Sequence, residues 1–167
     1  MRRRQNLIST MAVLASAACT LFQGCGGEDW HAETYPAQGR ITINGEPASG
    51  AVVELRSTGE KPDVRNSRPW AVVEEDGAYT LSTYEKGDGA PPGEYAVTVR
   101  WPPDVSQPSL ADRLGGAYAT PEQSQWRVTI AEGDNQLPPI EITGAKVLPE
   151  EQAGAAAKGP SGPPMGK

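Results

Sequence analysis

The acidic residues nearest to one another are the first candidates for chemistry in this 167-residue sequence. Glu74, Glu75 and Asp76 stand together before Gly77, and carboxylate oxygens are the ligands that Ca²⁺ prefers. A calcium loop, however, distributes its ligands over about twelve residues. Asp76-Gly77 is therefore interpreted as a tight turn between two strands.

Three further carboxylates, Glu85, Asp88 and Glu94, flank a loop rich in glycine and proline. They are an equally weak metal candidate, because charges in such loops are usually solvated. Pro92 and Gly93 at the end of this loop are predicted to turn the chain into the next strand. The sequence predicts no metal site and no cofactor.

Nucleophilic catalysis requires a base beside the nucleophile, and the chain has a single histidine, His31. His31 lies in a short polar segment before the first predicted strand, where we expect it to be exposed and without a role. The two cysteines, Cys19 and Cys25, stand near the start of the chain, and no glycine-rich loop ends in Lys-Ser or Lys-Thr. We therefore expect no enzymatic activity.

Three tryptophans, Trp70, Trp101 and Trp126, are candidates for a row on which sugar rings stack. Each begins or ends a segment of alternating polar and apolar residues. Aromatic residues in such positions commonly fill the core of a β-sandwich. Filling of the core is the favoured interpretation.

Two alternating segments, Tyr79 to Thr83 and Tyr95 to Trp101, are the clearest predicted strands. Successive side chains of a strand point to opposite faces, so alternation indicates a sheet with one face on a core. The same pattern recurs around residues 41–43, 52–56, 126–130 and 137–143. The predicted inward residues include Leu81, Val97 and Val128, and the predicted outward ones include Thr80, Thr98 and Thr129.

Turn residues separate these segments. Asn44-Gly45 predicts a tight hairpin, and residues 132–135 predict another hairpin between the last two strands. Residues 57–69 show no period and are predicted to form a long loop. Gly77 is expected to need a positive φ, whereas Gly89, in an open loop, is expected to tolerate substitution.

The motif D-G-x-Y-x-L from Asp76, followed by P-P-G-x-Y-x-V-x-V from Pro91, resembles the carboxypeptidase regulatory-like domains. These are transthyretin-like (prealbumin-type) domains of bacterial surface lipoproteins. The segment from Gly39 to Val53 is similar to the opening hairpin of that family. The resemblance covers residues 35–143 and implies an all-β fold, a two-sheet antiparallel β-sandwich of about seven strands.

The start of the chain is typical of a secretory signal: three arginines, then an apolar run too short and too polar to favour a transmembrane anchor. Leu21 to Cys25 resembles a bacterial lipobox, which implies a signal peptide over residues 1–24 and acylation of Cys25, for example with palmitate. Residues 25–34 are then a lipidated tether. Cleavage at Cys19, or at neither cysteine, is the alternative.

Charge and composition complete the division of the chain. The net charge is −6, and removal of the leader, which has three arginines and no acid, makes it more negative by three. Such a surface repels nucleic acid. Residues 144–167 contain few large apolar side chains and are predicted to be a disordered tail rich in Pro, Gly and Ala.

These features predict a non-catalytic, lipid-anchored module of the cell envelope, with a structural or interaction role and no nucleic-acid partner. Its partners would be the membrane and an envelope protein or polysaccharide. The residue after Cys25 is Gly26 and not the aspartate that retains lipoproteins in the inner membrane of many diderm bacteria, so the outer membrane is favoured. Secretion as a soluble protein is the alternative. A second possibility is a carbohydrate- or peptide-binding surface protein that uses an edge strand or the loops at 57–69 and 102–125. An enzyme of another type is the remote alternative.

Overall fold

The computed structural model describes residues 30–107 and 109–157. In these residues the chain forms nine strands, one short 3₁₀ helix at Pro121–Gln123 and one helix, α1, at Glu150–Ala157. The strands are β1 (Ala37–Ile43), β2 (Glu46–Pro47), β3 (Val52–Ser57), β4 (Trp70–Val72), β5 (Ala78–Thr80), β6 (Gly93–Arg100), β7 (Arg127–Ile130), β8 (Asn135–Gln136) and β9 (Ile140–Ile142).

The strands form two sheets, which confirms the predicted all-β sandwich. In the first sheet β1 pairs with β2 and β5 antiparallel and with β8 and β9 parallel. The second sheet has the order β4-β3-β6-β7 and is antiparallel throughout. Seven of the nine strands have three or more residues, in agreement with the predicted number. The two parallel pairings were not predicted.

The core lies between the sheets and consists of the inward side chains that alternation identifies. Leu81 and Val97 are fully buried and Val128 is 8% exposed, as predicted. The largest other aliphatic side chains that are fully buried belong to both sheets, namely Ile41, Val53, Leu55, Val99, Ile130 and Ile140. Burial of this apolar surface is the main stabilising contribution to the fold.

Thr98 was predicted to be an outward, exposed residue, but it is only 4% exposed. β6 is an inner strand of its sheet, and the loop that follows it returns along the second half of the strand. The Val99 amide donates to the Tyr118 carbonyl at 3.0 Å, and the Thr98 hydroxyl donates to the Glu54 carbonyl at 3.2 Å. Thr98 is therefore outward but covered, whereas Thr80 and Thr129 are exposed as predicted.

Asn44-Gly45 forms the predicted tight turn, and Gly77 has the predicted positive φ, although its turn runs from Glu74 to Gly77. Asn44 and Gly45 both have positive φ, 54° and 87°, as a two-residue hairpin between β1 and β2 requires. Gly77 has a φ of 85°, and its amide donates to the Glu74 carbonyl at 3.0 Å. The strands on either side of this second turn, β4 and β5, belong to different sheets, so the turn carries the chain across the sandwich.

The predicted hairpin at residues 132–135 is wrong. β7 lies at the edge of the four-stranded sheet, whereas β9 lies parallel to β1 in the other sheet. Asn135 directs this crossover. Its backbone amide donates to the Pro36 carbonyl at 2.9 Å, and its side-chain oxygen accepts a hydrogen bond from the Ala131 backbone amide at 2.9 Å. A turn motif indicates where a chain reverses but not which strand receives it.

The segment after β9 also differs from its prediction as a disordered tail beginning at residue 144. The Ala145 backbone exchanges two hydrogen bonds with the Asn44 side chain, at 2.9 and 3.0 Å, and Val147 packs against the core. The Leu148 amide donates to the Arg113 carbonyl at 2.7 Å, and α1 follows. Backbone hydrogen bonds thus fix a segment that has few large side chains. The predicted tail residues 158–167 lie outside the described residues.

Candidate functional site

The outer face of the four-stranded sheet carries rows of side chains that the register brings side by side. Glu54 on β3 is paired with Trp70 on β4 and with Thr98 on β6. In the next outward row, Val52 lies between Val72 and Arg100. Because side chains two residues apart on a strand share a face, Arg56 lies beside Glu54 on the same surface.

Three arginines line a cavity of about 260 Å³ on this face, which we call the arginine cavity. Its lining residues are Val52, Glu54, Arg56, Arg68, Thr98, Arg100 and Ala119. Three guanidinium groups and one carboxylate leave this cavity with two surplus positive charges, on a chain whose net charge is −6. The cavity therefore has the opposite sign of charge to the protein as a whole.

Glu54 holds two of the arginines in place. Arg56 Nε lies 2.8 Å from Glu54 Oε1, and Arg68 Nη1 lies 3.7 Å from the same oxygen. Glu54 Oε1 and Arg56 Nε are withdrawn from solvent and attract each other by charge, without an aligned hydrogen bond. Among the described residues, Arg100 has no ion pair, so its guanidinium donors are available to a ligand.

A larger groove adjoins the arginine cavity and shares Val52 and Arg100 with it. This open groove, which we call the tryptophan groove, has a volume of about 670 Å³ and lies between strand β4 and the loop after β6. Its other lining residues are Trp70, Pro102, Val105, Ser106, Gln107, Ser109 and Leu110. The arginine cavity thus forms the charged end of a continuous surface, and the tryptophan groove forms its aromatic and aliphatic end.

Trp70 is not a core residue, which corrects the prediction for that tryptophan. It is 48% exposed and lies on the outer face of β4, whereas Ala71 beside it is buried. Trp101 and Trp126 are partly buried against the core, as predicted. The three tryptophans do not form a row, but Trp70 presents an exposed ring in the groove.

The acidic cluster at Asp76 is a turn. Asp76 Oδ1 accepts a hydrogen bond from the Ala78 amide at 2.9 Å, and Oδ2 lies 3.2 Å from Arg40 Nη1. This backbone hydrogen bond, followed by the charge of Arg40, lowers the pKa of Asp76. Glu74 and Glu75 are exposed, so the carboxylates do not converge.

The second predicted acidic group is also structural. Asp88 accepts hydrogen bonds from the amides of Thr83, Tyr84 and Glu85, at 2.6, 2.9 and 3.0 Å, and so closes its loop. Glu85 and Glu94 are exposed on either side. Within residues 30–107 and 109–157, no group of three or more His, Cys, Asp or Glu is arranged to hold a metal ion.

Pro92 and Gly93 lie where the loop enters β6. Pro92 is exposed, and Gly93 is the first residue of the strand, paired with Ile130 on β7. The Tyr95 hydroxyl donates to the Pro91 carbonyl at 2.9 Å and fixes this entry from inside the core. These residues position the strand that carries Thr98 and Arg100.

Sequence reasoning missed an aromatic cluster that holds the segment before β1 against the loop at 57–69. His31 is exposed, as expected, but its ring stacks on Tyr84 with 4.0 Å between centroids. Trp30 packs edge-on against both rings, and the Arg65 guanidinium lies 3.6 Å from the centre of the Trp30 ring. We call these four residues with Asp63 the N-terminal clamp.

Asp63 is the polar centre of the N-terminal clamp. Its Oδ2 accepts a hydrogen bond from the Tyr84 hydroxyl at 2.6 Å, and its Oδ1 accepts from the Arg65 and Ser67 amides. Desolvation raises the pKa of Asp63, but hydrogen bonds from the Ser67 side chain, the Tyr84 hydroxyl and the Ser67 and Arg65 amides outweigh it and lower the pKa to about 2. Burial, followed by the hydrogen bond to Asp63, raises the pKa of Tyr84 to about 12.

We expect the N-terminal clamp to open in acid. The folded-state pKa of Asp63 lies below its ordinary value of 3.8, so its stabilising effect is full above pH 4 and is lost as the pH falls towards 2. The indole N–H resonance of Trp30 should then move towards its position in an unstructured chain between pH 4 and 2. In D63N this resonance should not titrate in that window, and an identical titration in D63N would contradict the assignment.

Comparisons with models of known families, with curated proteins and with solved structures find no match. The resemblance to carboxypeptidase regulatory-like domains therefore stays a prediction based on the sequence motifs. The proposed lipidation residue, Cys25, and the predicted signal peptide over residues 1–24 lie outside the described residues. The competing cysteine, Cys19, lies outside them as well.

Proposed function

We propose that this chain is a non-catalytic binding module that takes up anionic ligands in the arginine cavity. The observation that carries the proposal is the convergence of Arg56, Arg68 and Arg100 on one partly open cavity with a single carboxylate among them. A binding role, which the sequence analysis gave as an alternative, is thus favoured over a purely structural role.

The geometry suits recognition of an anion. Glu54 orients the guanidinium groups of Arg56 and Arg68, which reduces the ordering that a ligand must impose. A guanidinium presents its donors in a planar fork that matches the two oxygens of a carboxylate. Arg100 supplies such a fork at the point where the arginine cavity meets the tryptophan groove.

A titration with sodium acetate tests the proposal, with sodium chloride at equal ionic strength as the reference. We expect saturable shifts of the backbone amide resonances of Thr98, Arg100 and Ala119, which line the cavity. R100Q should weaken acetate binding about tenfold, because one charge-assisted contact is lost. Chloride and acetate shifts of equal size and shape would contradict a specific anion site.

Lys86→Gln is the matched control for R100Q. It removes the same unit of charge from an exposed loop residue that does not line the cavity or the groove. Acetate binding should be nearly unchanged in this variant. An equal loss of binding in both variants would mean that net charge alone governs the titration.

We place this module outside the cytoplasm, held to the cell envelope by acyl chains on Cys25, with an outer-membrane location favoured. The support is the sequence: a charged start, a short apolar run and Gly24-Cys25. Among the described residues, no helix combines the length and the apolar character needed to cross a bilayer.

Replacement of Cys25 by serine should move the protein from the membrane fraction to the soluble fraction. Two acyl chains give stable anchoring, and serine has no sulfur to carry them. Mass spectrometry of the native protein should find an acylated N-terminus at Cys25. An unmodified N-terminus elsewhere would favour secretion in soluble form, whereas membrane association retained by the serine variant would favour cleavage at Cys19.

A further inference from the structure

We infer that the ligand is a saccharide chain with isolated carboxylates, one of which enters the arginine cavity while neighbouring neutral sugar units lie in the tryptophan groove. This inference rests on the proposed function and specifies its ligand class. The charge balance, the exposed ring of Trp70, the closed edge of β4 and the size of the two spaces carry it.

The charge of the whole chain limits how densely the ligand is charged. The chain carries a net charge of −6 and repels a polyanion at long range. At physiological ionic strength the repulsion decays over ~8 Å, whereas a carboxylate inside the arginine cavity is in direct reach of two surplus positive charges. A single carboxylate among neutral units gains the local attraction with little of the long-range repulsion.

Trp70 supplies a surface suited to sugar rings. Its indole is 48% exposed in a groove that also offers the Gln107 side chain, the Ser106 hydroxyl as an acceptor and the Ser109 hydroxyl as a donor. One face of a pyranose carries C–H groups that pack on an aromatic ring, while its hydroxyls need hydrogen-bonding partners at the sides. The tryptophan groove provides both, and it continues directly from Arg100.

The edge of β4 argues against an extended peptide as the occupant. Peptides that add a strand to a sheet need unpaired backbone groups along an edge. At Trp70 these groups are taken: its amide donates to the Ser82 carbonyl and its carbonyl accepts from the Ser82 amide, both at 2.9 Å. A ligand at Trp70 therefore meets side chains and not a free strand edge.

The volumes fit this division of the ligand. Ligand sites are commonly ~300–1,000 Å³. The arginine cavity, about 260 Å³, is small for a whole oligomer but suits one charged group with its ring. The tryptophan groove, about 670 Å³ and open to solvent, has room for the adjoining units.

Calorimetric titration of the full chain with three probes tests the inference. The probes are a hyaluronan tetrasaccharide, in which glucuronate alternates with a neutral sugar, the uncharged N-acetylglucosamine tetramer, and a tetraglutamate peptide. The hyaluronan tetrasaccharide should bind at least about tenfold more tightly than either of the others. Trp70→Ala should remove the preference over tetraglutamate while acetate binding at the arginine cavity persists, since Trp70 lines only the groove.

The outcomes separate the inference from the proposed function. Equal binding of the charged and uncharged tetrasaccharides, or tighter binding of tetraglutamate, would overturn the inference while the acetate result keeps the anion site. An unchanged preference over tetraglutamate in Trp70→Ala would also overturn it. Absence of acetate shifts at the cavity would overturn the proposed function itself. Lys86→Gln, which alters charge away from both spaces, should keep the preference intact.

Discussion

Replacement of Gly89 by alanine should destabilise the domain more than any other glycine substitution in the loop before β6. Gly89 has a φ of 88° and is buried, and a Cβ built on it would overlap the carbonyl oxygen of Tyr35. That carbonyl accepts a hydrogen bond from Ala90 at 3.0 Å, within the bridge that joins the loop to the segment before β1. We expect a loss of about 4 kcal/mol or more in the free energy of unfolding.

This expectation reverses the prediction from sequence, which placed Gly89 in an open loop and gave the larger effect to Gly77. A Cβ on Gly77 would lie 2.8 Å from the Ile41 carbonyl oxygen, a closer approach than real Cβ atoms make but less severe than the overlap at Gly89. Gly77→Val should still cost about 1–3 kcal/mol because its φ is 85°. Composition showed a glycine-rich loop, but not that its second half packs under Tyr35.

Gly87→Ala is the matched control in the same loop. Gly87 also has a positive φ, 75°, but a Cβ there would meet nothing within 4 Å. Its substitution should cost only about 1–2 kcal/mol, the conformational penalty alone. Urea denaturation of the variants gives the comparison. Equal midpoints for the alanine variants at 87 and 89 would show that steric overlap with Tyr35 has no effect.

The sequence predicted most of the fold because strands with one face on a core alternate visibly. Val53 and Leu55 against Glu54 and Arg56, on β3, are an example, and their burial agrees with the pattern. Pairing between strands was predicted less well, because alternation gives the faces of a strand but not its neighbours. The parallel pairing of β9 with β1 therefore had no signal in the chain.

The candidate site could be predicted only in parts for the same reason. Alternation placed Glu54, Arg56 and Arg100 on outward faces, but only the register of β3 and β6 brings them to one cavity. Trp70 and Val72 fall on one side of β4 and Ala71 on the other, and all three are apolar. The pattern at β4 thus left open which side faces the core, and the prediction that Trp70 fills the core was wrong.

Leu81→Ala should lower the free energy of unfolding by about 2–5 kcal/mol, because truncation of a buried leucine leaves a cavity. Leu81 is completely buried and directly follows β5. Here the backbone is hydrogen-bonded to both sheets: the Leu81 amide donates to the Ala37 carbonyl in the first sheet, and the Ser82 amide donates to the Trp70 carbonyl in the second. The alanine variant retains these backbone bonds, so the loss reports packing alone. Chemical denaturation followed by tryptophan fluorescence provides the measurement.

Thr80→Ala, one residue earlier, is the control and should change the free energy of unfolding by no more than about 0.5 kcal/mol, since Thr80 is exposed. Thr98→Ala should lie between the two, because Thr98 is buried and loses its hydrogen bond to Glu54 but leaves a smaller space. If Thr80→Ala cost more than Leu81→Ala, the register of β5 against β1 would be shifted by one residue. Such a shift would exchange the two faces of the strand and place Leu81 in solvent.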